Sequence, residues 1–487
     1  MTVPDGTSKR ASRTWMVRLI VLTALVFSRS LGNGFVLDDR FQIVDNKYLG
    51  DWPFIWKSLL NDSWWFRDPL HLPQGPYYRP LQNVWFALNF HLFGLNPAGW
   101  HATMILLHLI VVWLVFKVAS QLSGNEWSGF FAAALFALMP VHAQAVVWPA
   151  AIGSPLSALF ELSAFASYLG WFSGERSTRR LTISIGSFAC ALLSYDSAIA
   201  FPALIAAHAF IFSGNASNAA FDSTVAARMS RAIAATLPYA LVAAAYLALR
   251  FWILGFGSLQ PYPGNDLTAK VIALTIPSAI ADYAILLAVP WRSGLAHRLQ
   301  LVHSVIAPGF YLPFIGLAAL SVAAVILLRH HPHWRLYAFC AAWMVIAIGP
   351  ILSLDVIVPQ AAVQDRYLYL SSFGFCLMIS DLAICFARES AQRARIAQVG
   401  AAAFTILYAA TLFHAEPFWR DDISWYGRCV DEAPDLAACH KGLGMARLEQ
   451  GDVGGARIEL EFAAKLAPED PGTRALMAAI EHRGASR

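Results

Sequence analysis

Charge is scarce in this sequence. Only 14% of its 487 residues are Asp, Glu, Lys or Arg, against about 25% in soluble domains, which excludes an ordinary solvated globule. The balance of charge is also small, +4 at pH 7. Its basic residues sit in short clusters between apolar runs rather than along one helix face or a tail, so nucleic acid is excluded as a partner. Cysteine is sparse too. The six at positions 190, 340, 376, 385, 429 and 439 have no metal-type spacing, and four lie in apolar runs where a thiol acts as a small hydrophobe. Only Cys429 and Cys439, both in the C-terminal region, are placed to pair in an oxidising compartment, and the sequence alone gives no ground to expect it. No small-residue cleavage site follows the first apolar run, so that run is expected to stay as an anchor.

Apolar side chains are abundant. They make up 57% of the chain at a mean hydropathy of +0.52, the composition of a polytopic membrane protein. The expected fold class is all-α: a transmembrane helix bundle over 1–415, followed by a polar helical domain over 416–487. Windows long enough to cross about 30 Å of hydrocarbon give about eleven spans, near 15–32, 100–119, 127–147, 155–172, 180–195, 197–213, 232–254, 306–328, 334–354, 366–387 and 396–414. Lys9, Arg10, Arg13, Arg18, Arg176, Arg179, Arg180, Arg228, Arg231, Arg329, Arg335, Arg388, Arg393 and Arg395 then all fall on one side, which the positive-inside rule makes cytoplasmic. Counting 267–290 as a further span would break that agreement, so it reads as an interfacial or re-entrant helix. The expectation is a multi-pass inner or plasma membrane protein with a cytoplasmic N-terminus.

This topology places the first loop, 33–99, outside, together with 142–155, the region around Asp196, and 256–304. Asp38 and Asp39 stand where the first helix leaves the bilayer. Adjacent acids there suit proton abstraction or cation binding, because each charge raises its neighbour's pKa; a helix cap or a solvated pair is the plainer reading. Trp52, Trp56, Trp64 and Trp65 read as an interfacial belt or as stacking surfaces for sugars. Arg79, after Tyr77-Tyr78, has the planar fork that suits a phosphate, or else snorkels to the interface. His142 could bond a phosphate or hydroxyl, or serve as a structural histidine. Asp196 interrupts about 30 apolar residues, and an acid so placed is a functional candidate by default. Asp365-Arg366 opens a late span, where Arg366 could anchor a lipid phosphate or mark the interface. No metal centre is expected: His101 and His108 stand about 10 Å apart along a helix, and His330, His331 and His333 lie on the expected cytoplasmic face among arginines with no acid or cysteine ligand nearby.

From about Trp419 the register changes. Residues 437–470 fit a 34-residue helical repeat, with Leu443, Gly444, Ala456, Leu460, Ala463 and Pro468 at the offsets of a tetratricopeptide (TPR) unit and Arg447 where an aromatic is usual. Pro434 lies 34 residues before Pro468, which makes 419–434 a half-repeat whose first helix is the end of the last span. So few repeats cannot form a long peptide groove.

Phe35-Val-Leu-Asp-Asp39, Tyr78-Arg-Pro-Leu81, Trp100-His101 with His108, Ala134-Leu-Phe-Ala-Leu-Met-Pro-Val-His142 and Arg366-Tyr-Leu-Tyr-Leu370 resemble, in this order, the transmembrane-and-TPR protein O-mannosyltransferases, which are GT-C-type integral-membrane glycosyltransferases. The resemblance covers nearly the whole chain. It implies transfer of a sugar from a polyprenyl-phosphate donor to an extracytoplasmic acceptor, a protein hydroxyl or a glycan, with inversion. It implies Asp38 or Asp39 as the base, Arg79, His142 and Arg366 near the donor phosphate, Tyr78, Asp196, Asp365 and His101 in support, and a protein partner through the repeats. No cofactor is firmly implied by it, and a divalent metal stays open but unsupported. Departures from the family pattern fall at Gln144, Gly153-Ser154 and Tyr195-Asp196, which lack its usual donor-side charges. Two other classes stay open: a catalytically weakened membrane scaffold, favoured by those missing charges, and a lipid-linked saccharide transporter or ligase, which should show inverted repeats. The paired acids favour the enzyme.

Overall fold

The computed structural model describes residues 5–67, 77–175, 177–213, 224–255, 268–353 and 363–485. The regular structure of those residues is all helical, nineteen α-helices joined by 3-10 and π turns and irregular loops. Parts of the first loop and of the segment 256–304 lie outside the described residues.

Helix α1 (Asp5–Phe27) leads into the first loop, which carries α2 (Pro53–Leu60) and α3 (Pro80–Phe93). Next come α4 (Pro97–Ser123) and α5 (Glu126–Ala137), a hairpin whose register is set at its turn. Asn96 and Asn125 cap the two helices by accepting from the N–H groups of Ala98 and Trp127, and Gly124 takes the left-handed conformation between them. At Gly129 the helices touch so closely that a Cβ would lie 2.0 Å from the Ser120 hydroxyl. The chain then bends by 59° at Met139-Pro140 into α6 (Ala143–Val147), so the expected span 127–147 is broken. Helices α7 (Gly153–Gly170), α8 (Thr178–Ser194), α9 (Phe201–Phe212) and α10 (Val225–Leu254) complete the first half.

The second half holds α11 (Ala269–Ala288), α12 (Pro308–Leu328), α13 (Trp334–Ile348), α14 (Leu368–Arg388) and α15 (Ala391–Ala415). Among the described residues, nine helices are long and apolar enough to cross a membrane, or ten if the bent pair counts as one span. This is a multi-pass membrane protein. The difference from about eleven lies at α8 and at the stretch Asp196–Phe212, which are shorter than that criterion. Helix α11 does meet it. Yet its middle is tied to the chain entering α12: Thr275 accepts from the Val302 N–H at 3.0 Å and Ser278 bonds the Gly309 carbonyl.

One apolar cluster runs through the bundle, with Phe165, Tyr168, Phe339 and Trp343 packed around His208. Helix α12, by contrast, buries none of its residues and presents Leu320, Val325 and Leu327 outward, as a lipid-facing helix should.

The tail is a row of helices, α16 (Asp422–Glu432), α17 (Ala437–Glu449), α18 (Val453–Leu466) and α19 (Pro471–Ala485). Ala456, Leu460 and Ile480 form its apolar seam. Cys429 and Cys439, the two cysteines placed to pair, are joined by a disulfide. The tail docks on the first loop and on the loop after α11. The Gly34 N–H donates to the Arg420 carbonyl at 2.8 Å, Arg40 pairs with Asp422 at 3.5 Å and also meets Glu449, and Glu432 accepts from the Leu295 and Ala296 N–H groups.

Candidate active site

The two adjacent acids have different fates. Asp39 is fully buried and spent on backbone: one oxygen accepts from the Val36 N–H at 3.1 Å, the other from the Ala150 N–H at 2.7 Å. It closes the turn that follows α1 and ties it to the chain before α7, so of the two expected bases it is the one already engaged by backbone. Burial also pushes its carboxyl well above the usual carboxylate range, and those two N–H bonds only partly offset that.

Asp38 is half-buried. Burial raises its pKa, opposed by the positive charges of Arg366 and Arg67. Its conformation is set by Leu37, the only non-glycine residue among those described with positive φ, at +53°. A left-handed backbone there costs about 1–2 kcal/mol. It is held by the tail, since the Leu37 N–H donates to the Asp422 carboxylate at 2.9 Å.

Around Asp38 and Arg366 the fold gathers the charged and phenolic groups of four segments. Arg366 is attracted by the charge of Asp38, and its guanidinium lies over the Trp148 ring at 4.9 Å and the Tyr367 ring at 5.1 Å. Its backbone N–H donates to Gln144 at 3.0 Å. Arg79 is engaged by Asp196, with Nε at 2.8 Å and Nη2 at 2.7 Å from one carboxylate oxygen. Burial lowers the Arg79 pKa, but the facing Asp196 more than offsets it and the net direction is up. The other Asp196 oxygen accepts from the Tyr246 hydroxyl at 3.2 Å, so this acid in an apolar setting is a counter-ion. Arg79 also lies 4.3 Å from the rings of both Tyr77 and Tyr195.

Other expected residues are supports. Tyr78 is buried, and its hydroxyl donates to the Leu59 carbonyl at 2.8 Å, bracing the first loop. His101, fully buried, meets the Gly34 carbonyl at 3.4 Å. Asp365 binds Ser293, accepts from the Gly294 N–H at 3.1 Å and pairs with His297 at 2.6 Å, and so fastens the loop after α11. His297 is pulled down by burial, yet its hydrogen bond with Asp365 leaves its pKa raised overall.

His142 has the surroundings of a structural histidine, one of its two expected readings. It is fully buried; its Nδ1–H donates to the Phe136 carbonyl at 2.8 Å and its Nε2 meets the Ser372 hydroxyl at 2.9 Å. Its ring packs among Phe136, Tyr369 and His108. With both nitrogens satisfied inside the core, nothing is left to offer a phosphate. The expectation that His333 lacks acid or thiol neighbours is corrected, because Asp381 and Cys385 of α14 lie beside it.

A cavity of about 310 Å³ adjoins the cluster, lined by Gln144, Asp365, Trp291, Trp419, Arg428 and Glu432 among others. Asp38 is not in its wall. Gln144 is common to both, since it holds the Arg366 backbone.

Comparison with known proteins places this arrangement. No protein-family model matches the chain. It is 24% identical over 544 aligned positions to the protein O-mannosyl-transferase Tmtc3 of Drosophila melanogaster, covering 96% of this chain and 57% of that protein. It is 34% identical over 148 residues to human TMTC1, covering 30% of this chain and 17% of that protein. The chain resembles the TMTC O-mannosyl-transferases.

It spans less than two thirds of the length of each of these TMTC relatives. Two solved structures are also similar in outline. ArnT from Cupriavidus metallidurans bound to undecaprenyl phosphate has a TM-score of 0.44 at 15% identity, over 96% of this chain and 77% of that one. The oligosaccharyltransferase of Archaeoglobus fulgidus, tethered to an acceptor peptide, has a TM-score of 0.43 at 16% identity, over 82% and 55%. Both scores are too low to assign a role to any residue.

The departures from the TMTC pattern are packed together. A Cβ on Gly153 would lie 2.7 Å from the Tyr195 ring, so the glycine makes room for the tyrosine that covers Arg79. Gln144 has become a backbone acceptor for Arg366. Arg67, Tyr195, Tyr367 and Asp422 were not singled out from the sequence as site residues. Only Asp422 carried a signal, as one of a pair of acids opening the first tail helix; the others converge through tertiary structure alone.

Proposed function

We propose that this protein transfers a sugar from a polyprenyl-phosphate-linked donor to a hydroxyl acceptor on the extracytoplasmic face, with Asp38 as general base and Arg366 at the donor phosphate. The observation that carries the reading is the separation of roles in the acid pair: Asp39 is consumed by two backbone N–H groups, whereas Asp38 faces the charges of Arg366 and Arg67. A phosphodiester is already a competent leaving group, so the reaction needs alignment, a proton acceptor and positive charge rather than a covalent nucleophile. Direct displacement breaks the bond from the anomeric carbon to phosphate oxygen and forms one to the acceptor oxygen. The hydroxyl proton passes to Asp38, and the anomeric configuration inverts. Arg366, carried over Trp148, supplies a planar cation for the phosphate oxygens. The tail helices act as a short TPR-type unit that seats an acceptor or partner against the first loop and shares its compartment. The TMTC relatives are protein O-mannosyl-transferases, which makes a protein hydroxyl the favoured acceptor.

The second reading, a weakened enzyme acting as a membrane scaffold, is favoured by Arg79, whose fork is taken up by Asp196. One experiment separates the two. The purified chain in proteoliposomes is offered radiolabelled polyprenyl-phosphate sugars with peptide and glycan acceptors. Transfer with inverted configuration is expected; a chain that transfers from none of the donors while remaining folded is a scaffold.

A further inference from the structure

At the end of the bundle opposite Asp38, His333, Asp381 and Cys385 bring three different metal-ligand atoms within 4.8 Å of one another. His333 precedes α13, while Asp381 and Cys385 lie one turn apart on α14, so their side chains share a face. From Cys385 Sγ the distances are 3.8 Å to His333 Nδ1 and 3.9 Å to the Asp381 carboxylate; between His333 and Asp381 it is 2.6 Å. A tetrahedral ion with bonds of about 2.0–2.3 Å sets its ligand atoms roughly 3.3–3.8 Å apart. The two sulfur distances lie at or within about 0.1 Å of the upper end of that range, and opening one hydrogen bond supplies the third. The His333 side chain is 37% exposed and has room to swing.

The acid in this group is prepared for a cation. Asp381 is almost completely buried. Ser128 of α5 donates to its Oδ1 at 2.9 Å and Tyr337 of α13 to its Oδ2 at 3.0 Å. Of the groups bonded to it, His333 alone can carry positive charge. A carboxylate taken out of water without a full counter-charge is costly, and hydrogen bonds that fix a carboxylate's orientation are what a metal ligand requires behind it.

We propose that His333, Asp381 and Cys385 bind a divalent transition ion of the zinc class, with Ser128 and Tyr337 orienting the carboxylate and a fourth position left to solvent. A thiolate, an imidazole and a carboxylate together select such an ion over magnesium or calcium, which take oxygen ligands. Bound there, the ion clamps the entry of α13 to the end of α14 and, through Ser128, to the start of α5.

The test uses the full-length protein in detergent, with zinc alone as the probe. After equilibrium dialysis, wild type should retain one zinc per chain, and cobalt in its place should give a thiolate-to-metal charge-transfer band. Cys385→Ser should remove that band and the bound zinc, His333→Ala the bound zinc, and Ser128→Ala should weaken binding by about tenfold. Cys190→Ser, on α8, should leave both signals unchanged. Zinc retained equally by Cys385→Ser and wild type, or no stoichiometric zinc on folded wild type, overturns the proposal. None of these readouts depends on sugar transfer.

Discussion

Two neighbouring aspartates separated by one peptide bond do different work because their surroundings differ. Asp38 is half-buried near cations, and its raised pKa has a direction for both activity and stability. A general base acts as the carboxylate, so transfer should rise with pH through that raised value, not through the ordinary aspartate range, and a pH–rate profile checks it. For stability the sign is opposite: folding favours the protonated form, so that contribution is complete below the unfolded pKa and is lost as pH rises through the folded one. Gly153 offers a second test at this scale. Gly153→Ala sets a methyl 2.7 Å from the Tyr195 ring, which should displace Tyr195 from Arg79 and cost about 1–3 kcal/mol, read as a lower melting temperature in detergent together with reduced transfer. The Asp38–Asp39 motif and Arg366 were legible in the sequence as candidates. Their division of labour was not, because it depends on which carboxylate finds the N–H groups of Val36 and Ala150. His142 stayed open between two roles for the same reason: an imidazole near a helix end gives no sign in sequence that Phe136 and Ser372 will satisfy both its nitrogens.

At the scale of elements, the turn from α1 into the first loop is shaped by α16. The Asp422 carboxylate holds the Leu37 N–H, and Leu37 in turn holds a left-handed backbone directly before Asp38. Asp422→Ala should therefore lower kcat while leaving donor KM unchanged, since Asp38 is misplaced but Arg366 is not. Leu37→Gly in that background should restore part of the rate, because glycine adopts this conformation without strain. Failure of the glycine to rescue would mean that Asp422 acts through docking of the tail instead. Long helices such as α4, α10 and α14 were visible as apolar runs. The break at Met139-Pro140 was not marked, although a proline inside an apolar run warns of one. The role of α11 rests on contacts at Thr275 and Ser278 that no periodicity reveals.

For the whole molecule, the account requires the first loop, the segment around Asp365 and the tail to share one compartment. The Cys429–Cys439 disulfide supplies a test, because such bonds persist in oxidising surroundings. Alkylation of the native protein should spare both cysteines until a reductant is added, and replacing both by serine should weaken the tail by roughly 2–4 kcal/mol, seen as faster proteolysis of residues 422–485. Composition alone made the chain a membrane protein, and the change of register near Trp419 marked its tail. The docking of that tail onto the acids could not be foreseen, since it depends on Arg420, Asp422 and Glu432 meeting loops far away in sequence.

The most direct measurement is single-turnover sugar transfer by Asp38→Asn in proteoliposomes loaded with a polyprenyl-phosphate donor. The variant should insert and retain the donor as wild type does, while transfer falls by roughly 10²–10⁴-fold. Transfer at the wild-type rate by a correctly inserted Asp38→Asn protein would contradict the account.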